Sequence, residues 1–259
     1  MFALLKTAER TNNTSFSNNY VFQRHVFAYR YSHHLKLVGE QVLEVGCGEG
    51  YGIALLSPYT EQYIAVDKKR PEIHNFSDKA AFMQCRLPDL SGFGDELFDT
   101  VICFQVIEHI REDHQLLTEI KRVLKPGGKL LLTTPNRLMS LTRNPFHIRE
   151  YKPLEMCTLM AAHFNDFTVQ GIYGNDLIMD YYRENKKSIA AFMKYDFLNL
   201  QYNLPGYLLR IPYTLLNNLN RLLLLRKMED LTTGFSFRDF YLQSLQDDCL
   251  DYFVMAVKQ

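Results

Sequence analysis

The sequence of 259 residues carries no excess of charge of either sign, because 29 Lys and Arg offset 29 Asp and Glu. A surface without net positive charge lacks the broad electrostatic attraction that a nucleic-acid backbone requires. We therefore expect no nucleic-acid partner.

Long hydrophobic runs are also missing. The longest unbroken leucine run, 222–225, falls far short of the roughly 20 apolar residues that a membrane-spanning helix needs. The start, MFALLKTAERTNN, is apolar only briefly and lacks the apolar core of a secretory signal. We expect a soluble, cytoplasmic protein.

Paired cysteines are absent as well. The five cysteines are odd in number and never spaced as CxxC or as the CxxxCxxC of an iron–sulfur cluster. We expect reduced thiols, which argues against a disulfide framework and against radical chemistry. The cysteines are Cys47, Cys85, Cys103, Cys157 and Cys249.

What the sequence does have is enough apolar residues, 47% of the chain, for one sizeable core with insertions. From residue 41, short apolar runs alternate with amphipathic segments, which is typical of a parallel sheet wrapped by helices. KPGG (125–128) is predicted to end a helix at 113–124, because Pro126 cannot continue it. The predicted strands are 41–46, 63–67, 80–85, 98–104 and 129–135, with later strand-like segments at 167–174, 235–240 and 251–258.

A predicted helix between residues 204 and 227 is amphipathic. Its apolar face is made by Leu208, Ile211, Leu215, Leu219 and Leu222, and another face by Thr214, Asn217, Asn218 and Arg221. We expect it to pack over the sheet as a substrate lid or to form a homodimer contact. Basic residues among the aliphatic ones leave peripheral membrane contact open as the less favoured alternative; they are Arg210, Arg221, Arg226 and Lys227.

The segment VLEVGCGEGYG (42–52) joins an apolar strand to a glycine-rich turn. Gly46, Gly48 and Gly50 let the turn adopt positive φ and leave room for a ligand against the backbone. A dinucleotide site would need GxGxxG, and counting from Gly46 puts Tyr51 at the third glycine position. A dehydrogenase is therefore only a third hypothesis.

Glu44 followed by the GxGxG turn resembles the first motif of class I S-adenosylmethionine-dependent methyltransferases. FDTVICFQVIEHI (98–110) and RVLKPGGKLLLTTPN (122–136) resemble later motifs of that family, so the resemblance covers about 40–137. It implies an α/β, Rossmann-like, doubly wound and mostly parallel seven-stranded sheet. We divide the chain into a helical N-terminal cover (1–38), a cofactor-binding core (39–174), a helical insertion (175–234) and closing strands (235–259).

The resemblance also implies where the methyl donor, S-adenosylmethionine, would bind. Glu44, Gly46, Cys47 and Gly48 would face its methionine portion. Asp67 would accept the ribose hydroxyls, and Lys68 would lie beside the adenine. Cys85 stands where many relatives place an aspartate, with Asp89 further on, and Gln105 would line the seam between donor and acceptor.

Glu108, His109 and His147 are the candidate catalytic residues. The segment NPFHIREYKPLEM (144–156) resembles quinone-biosynthesis O-methyltransferases, and a histidine near neutral pKa can take a proton from a hydroxyl group. Alternatively, Glu108 and His109 anchor the next helix and His147 organises its loop. Some quinone methyltransferases that resemble this segment hold a divalent metal with the Glu-His pair and a glutamate at the position of Gln105. Gln105 supplies no charge, so we predict no metal site here.

The Asn/Asp-Pro-Pro-aromatic motif of enzymes that methylate base amino groups is missing after 98–104, where FQVIEH stands instead. We therefore expect a small-molecule acceptor with oxygen as the methylated atom, while carbon and nitrogen stay open. The second hypothesis is a non-catalytic relative that serves as a binding or partner subunit.

Overall fold

The computed structural model describes residues 19–71, 76–194, 196, 199–227 and 229–259, with only the backbone described at 229–231. Expectations for residues 1–18, which are part of the predicted N-terminal cover, lie outside the described residues.

The central element is an eight-stranded sheet in the order β3-β2-β1-β4-β5-β8-β6-β7. The first five strands in this order pair in parallel, and β8, β6 and β7 continue the sheet antiparallel. The strands are β1 (Gln41–Val45), β2 (Gln62–Asp67), β3 (Ala80–Gln84), β4 (Phe98–Phe104), β5 (Leu124–Pro135), β6 (Asp166–Gly174), β7 (Phe240–Ser244) and β8 (Asp251–Val257).

Helices cover both faces of this sheet. They are α1 (Asn19–His34), α2 (Tyr51–Leu56), α3 (Asp113–Val123), α4 (Pro153–Ala161), α5 (Asp176–Met193), α6 (Leu200–Asn203), α7 (Gly206–Lys227) and α8 (Glu229–Gly234). One apolar layer joins Leu43 of β1 to α3 and α4, and the other joins Val42 to α1, α2 and α5. Neighbouring residues of β1 point to opposite faces, so the sheet is buried on both sides, as a doubly wound fold requires. The predicted fold class is confirmed.

Two details of the predicted sheet are wrong. The sheet has eight strands instead of seven. Segment 235–240 is mostly a turn, because Ser236 Oγ accepts from Arg238 N and Ser236 N donates to Asp239 Oδ2 (2.7 Å). These side-chain bonds close a 3-10 turn at Phe237–Asp239, and β7 begins only at Phe240.

The KPGG segment also differs from the prediction. Helix α3 ends at Val123, and Leu124 is already extended and paired with Phe98 of β4. Residues 125–128 form an irregularity within β5, because the next pair in the register is Thr100 with Lys129. Pro126 therefore lies inside a bulged strand, where its missing N–H costs no regular ladder bond.

The apolar face predicted for α7 is turned to solvent, and the role of this helix as a lid or a homodimer contact stays a prediction. Leu208, Ile211, Leu215, Leu219 and Leu222 are between 44% and 69% exposed. The opposite face turns inward, with Thr214 and Asn220 buried. Among the described residues, no helix is both long enough and apolar enough to cross a membrane.

Candidate active site

A cleft of about 480 Å³ opens at the carboxyl ends of β1 to β4. Open α/β sheets bind ligands at this edge, at the point where the strand order reverses, and β1 lies at that point between β2 and β4. The lining includes seven residues predicted to bind the cofactor: Gly46, Cys47, Gly48, Asp67, Lys68, Cys85 and Gln105.

The glycine turn forms one wall of the cleft. Gly46 has φ +77°, and a Cβ there would lie 2.4 Å from Val106 Cγ2, so only glycine fits. Gly48 has φ +56°, and a Cβ there would meet no atom within 4 Å. The turn thus presents bare backbone to open space, which suits a ligand that lies against it.

Asp67 ends β2 and is held in place by the same turn. Gly48 N donates to Asp67 Oδ2 (2.9 Å), and Lys69 N donates to Oδ1 (3.0 Å). Asp67 is 8% exposed and belongs to the lining of the cleft. Its orientation is therefore fixed before any ligand binds, which lowers the entropic cost of binding.

Cys85 follows β3, at the position where many relatives carry an aspartate that receives the adenine amino group. Its Sγ donates to the carbonyl oxygen of Asp89 (2.8 Å), and burial raises the pKa of the thiol. The side chain is thus a neutral donor already occupied by the backbone, and it adds no charge to this end of the cleft.

Glu44 lies behind the glycine turn and is absent from the lining of the cleft. It is buried, and its carboxyl accepts from Tyr29 Oη (2.6 Å) and Tyr63 Oη (3.0 Å). Burial raises the pKa of Glu44 to about 7. A Cβ on Gly52 would lie 2.4 Å from Glu44 Oε1, so the carboxyl also packs against α2. Direct contact of Glu44 with the donor stays a prediction.

Gln105 follows β4 and lines the cleft with a left-handed backbone, φ +56°. Such a backbone is costly for a residue other than glycine and must be stabilised by its surroundings. Gln105 N donates to the carbonyl of Thr133 (2.8 Å), and its Nε2 donates to Asp251 Oδ2 (3.3 Å). Arg24 of α1 extends this set of side-chain contacts through an ion pair from its Nε to Asp251 Oδ2 (3.0 Å).

His109 is the candidate catalytic residue that lines the cleft. Its Nδ1 lies 2.9 Å from the carbonyl oxygen of Phe146, which can only accept a hydrogen bond. In the neutral imidazole the proton would therefore reside on Nδ1, and Nε2 would carry the lone pair that a general base needs.

Glu108 is buried below His109 and does not line the cleft. Thr134 Oγ1 donates to Glu108 Oε2 (3.0 Å), and burial raises the pKa of this carboxyl to about 7. The backbone carbonyl of Glu108 also accepts from Ile148 N (2.8 Å). Glu108 thus joins the 3-10 turn after β4 to the loop at 144–152.

Both ring nitrogens of His147 are engaged within its own loop. Asn144 Oδ1 accepts from Phe146 N, so Asn144 Nδ2 is the atom that donates to His147 Nε2 (2.8 Å). His147 Nδ1 in turn lies 2.6 Å from Glu150 Oε1. His147 is absent from the lining of the cleft. This arrangement favours the loop-anchor alternative over direct proton transfer.

Glu108, His109 and His147 could together offer ligand atoms within 4.8 Å of one another, in the part of the chain that the structure describes. Bonds to Thr134, Phe146, Asn144 and Glu150 already occupy these side chains. A divalent cation would have to break the loop bonds of His147, and Gln105 would add no negative charge. These residues fit a metal poorly, and the absence of a metal site stays a prediction.

Helix α1 contributes lining residues that the sequence analysis missed, His25 and Tyr29, together with Tyr51 of α2 and Phe104 of β4. The Tyr29 ring stacks edge-on against Phe104 at 4.9 Å and against Tyr51 at 5.6 Å. His25 Nδ1 lies 3.0 Å from Tyr51 Oη, and burial lowers the pKa of His25 to about 3. In the sequence, Arg24 and His25 interrupt an aromatic-rich segment at 20–31, and this interruption was the available signal for this wall.

The fold and the cleft define a class I methyltransferase, and comparisons with known proteins agree. A family model described as a methyltransferase domain matches residues 43–132. A probable S-adenosylmethionine-dependent methyltransferase of Mycolicibacterium smegmatis is 36% identical, over 62% of the chain and 65% of that protein. A similar protein of Mycobacterium tuberculosis is 34% identical, over 68% and 67%. The chain thus spans about two thirds of these relatives.

A ubiquinone biosynthesis O-methyltransferase of Xanthomonas euvesicatoria is 32% identical, over 40% of the chain and 46% of that protein. A solved S-adenosylmethionine-dependent methyltransferase from Archaeoglobus fulgidus superposes with a TM-score of 0.54 at 15% identity, covering 94% of this chain and 98% of that one. The chain belongs to the S-adenosylmethionine-dependent methyltransferases, and S-adenosylmethionine is its cofactor.

Proposed function

We propose that this enzyme methylates an oxygen atom of a small-molecule acceptor bound beside His109. The observation that carries the proposal is that His109 lines the same cleft as the glycine turn and Asp67, with its Nδ1 fixed by the Phe146 carbonyl. The similarity to an enzyme named as an O-methyltransferase supports the choice of oxygen.

The residues of the cleft suit the donor in three parts. The bare backbone of Gly46, Cys47 and Gly48 would contact its methionine portion, and Asp67 would accept its ribose hydroxyls. Lys68 and Cys85 would flank the adenine, and Cys85 adds no charge at this end of the cleft. When bound, the donor supplies an already activated methyl group, so the protein's main contribution is to position the acceptor.

The acceptor side depends on His109 and on the residues that hold it. His109 Nε2 would take the hydroxyl proton as the acceptor oxygen is methylated. Glu108 and His147 would position His109 by holding the turn after β4 against the loop that carries Phe146. Gln105 would line the seam between the two ligands, fixed from behind by Asp251.

The experiment is an acceptor screen with purified enzyme, labelled donor and fractionated small molecules, read by mass spectrometry as the gain of one methyl group. We expect labelled product from hydroxyl-bearing fractions with the wild type and little with His109→Asn. A methylated nitrogen or carbon would overturn the choice of oxygen. Donor binding without transfer to any fraction would support the binding-subunit hypothesis instead.

A further inference from the structure

Helix α7 carries an unusual outer face. Eight large apolar side chains along it are between 44% and 69% exposed, and we call them the leucine face: Tyr207, Leu208, Ile211, Leu215, Leu216, Leu219, Leu222 and Leu223. Isolated apolar residues are normal on protein surfaces, but a contiguous apolar surface of this kind marks an interaction site.

Polar contacts on the inner face fix this orientation of the helix. Asn220 is buried, accepts from Ser188 Oγ (2.6 Å) and donates through Nδ2 to Asn185 Oδ1 (2.7 Å), both on α5. Turning the leucine face inward would break these bonds and leave polar groups buried without partners. The helix thus presents its apolar side outward as part of the packed fold.

The charges of α7 indicate what the leucine face binds. Arg210 and Arg226 are exposed, and Lys227 forms an ion pair with Glu184 of α5 (2.6 Å). No acidic residue occurs within 206–227. In a pair of identical copies, these helices would bring cations together with no acid of α7 to oppose them. An anionic surface complements the same charges.

We propose that the leucine face of α7 binds the surface of a membrane that contains anionic lipid. The helix would lie in the plane of the interface, with its leucines among the acyl chains and its arginines at the headgroups. Its inner, polar face would stay on α5. The contact is peripheral, and it is independent of the atom that the enzyme methylates.

The position of α7 connects this surface to the loop at 144–152, which carries Phe146. The Arg210 guanidinium lies 5.4 Å from the ring centre of Phe146, and the Tyr213 ring lies 6.4 Å from the same ring. Phe146 is the residue whose carbonyl fixes His109. Membrane contact would therefore bring the acceptor side of the cleft close to the lipid surface.

Flotation with lipid vesicles tests the proposal on the full chain. We expect the wild type to float with vesicles of phosphatidylcholine and phosphatidylglycerol, and less with phosphatidylcholine alone. Ile211→Glu with Leu215→Glu should lower the bound fraction at least about tenfold, because charged groups replace apolar contacts. The matched control is Leu154→Glu on α4, also an exposed leucine (78%), which should float like the wild type.

A second pair of variants tests the charges. Arg210→Gln with Arg226→Gln should reduce binding to the anionic vesicles about tenfold or more, and added salt should reduce wild-type binding. Lys36→Gln with Lys79→Gln removes as much charge from exposed positions outside the insertion and should change little. Wild-type protein that does not float would overturn the proposal. The proposal would also be overturned if the leucine-face variants float normally, or if their only effect is to convert a dimer into a monomer in light scattering.

Discussion

The two histidines near the cleft differ in what their ring nitrogens contact, and this difference separates their roles. His109→Asn can keep a donor near the Phe146 carbonyl while removing Nε2. We expect it to lower turnover by roughly the hundredfold associated with loss of a general base, with donor affinity and thermal stability unchanged.

His147→Ala is the matched comparison. It removes bonds to Asn144 and Glu150, so we expect a lower unfolding temperature and a smaller effect on turnover at temperatures where the variant is folded. Calorimetry and steady-state kinetics on both variants give the answer. A His147→Ala enzyme of normal stability that has lost its activity would reverse our assignment.

Glu44 makes the stability of the fold depend on pH. The pKa of its carboxyl is about 7 in the folded chain against an ordinary value of 4.5, because it is buried. Between these values the unfolded chain releases the proton that the folded chain keeps, so the free energy of unfolding falls as pH rises. The fall should be on the order of 3 kcal/mol, at about 1.4 kcal/mol per pH unit.

Glu44→Gln should flatten this part of the stability profile, because the amide cannot ionise and its oxygen can still accept from Tyr29. Urea unfolding of both proteins from pH 4.5 to 7 gives the difference curve. Glu108, whose pKa is also raised to about 7, titrates in both proteins and cancels. Parallel curves would show that Glu44 is not the group responsible.

A buried ion pair joins helix α1 to strand β8. Arg24 and Asp251 have side chains that are 14% and 1% exposed. Removing one partner of a buried pair leaves an uncompensated charge, so Arg24→Met should lower the free energy of unfolding by about 3 to 5 kcal/mol. Arg24→Met with Asp251→Asn should recover most of this loss. An Arg24→Met variant that is as stable as the wild type in urea would contradict this prediction.

The sequence predicts the elements whose burial follows a regular period. The strands from β1 to β5 and helix α3 were predicted to within a few residues, except at KPGG, because their apolar positions repeat with the period of each element. The prediction of a strand at 235–240 was wrong, because a local hydrogen bond of Ser236 outweighs the aromatic pattern of the segment. The spacing in α7 was correct, but periodicity cannot reveal whether an apolar face meets a core or another surface.

The cleft was predicted in the same uneven way. Its donor wall is formed by local motifs, so Gly46, Gly48 and Asp67 were identified from their order along the chain. Its other wall comes from α1, whose His25 and Tyr29 reach the cleft only through tertiary packing. The distinction between His109 and His147 likewise depends on which atoms face which in the folded loop.

At the scale of the whole molecule, helix α1 contributes one wall of the donor cleft. Helix α1 lines the cleft next to β1 and β4, although it precedes the first strand in sequence. A ligand that contacts both α1 and the glycine turn should stabilise their association. We therefore expect S-adenosylhomocysteine, the product form of the donor, to slow amide hydrogen exchange in α1 and in residues 46–52.

Helix α3 serves as the internal control, because it packs in the apolar layer that α1 does not join. Its exchange should slow only as far as the whole fold is stabilised. Asp67→Ala removes the expected ribose acceptor, a loss of roughly 1.5 to 3 kcal/mol, so the ligand concentration for half-maximal protection should rise about one to two decades. Asp78→Ala, at an exposed aspartate outside the cleft lining, should leave it unchanged. If the ligand protects the glycine turn but not α1, then α1 covers the cleft without contacting the ligand. If Asp67→Ala leaves the titration unchanged, the ribose binds elsewhere.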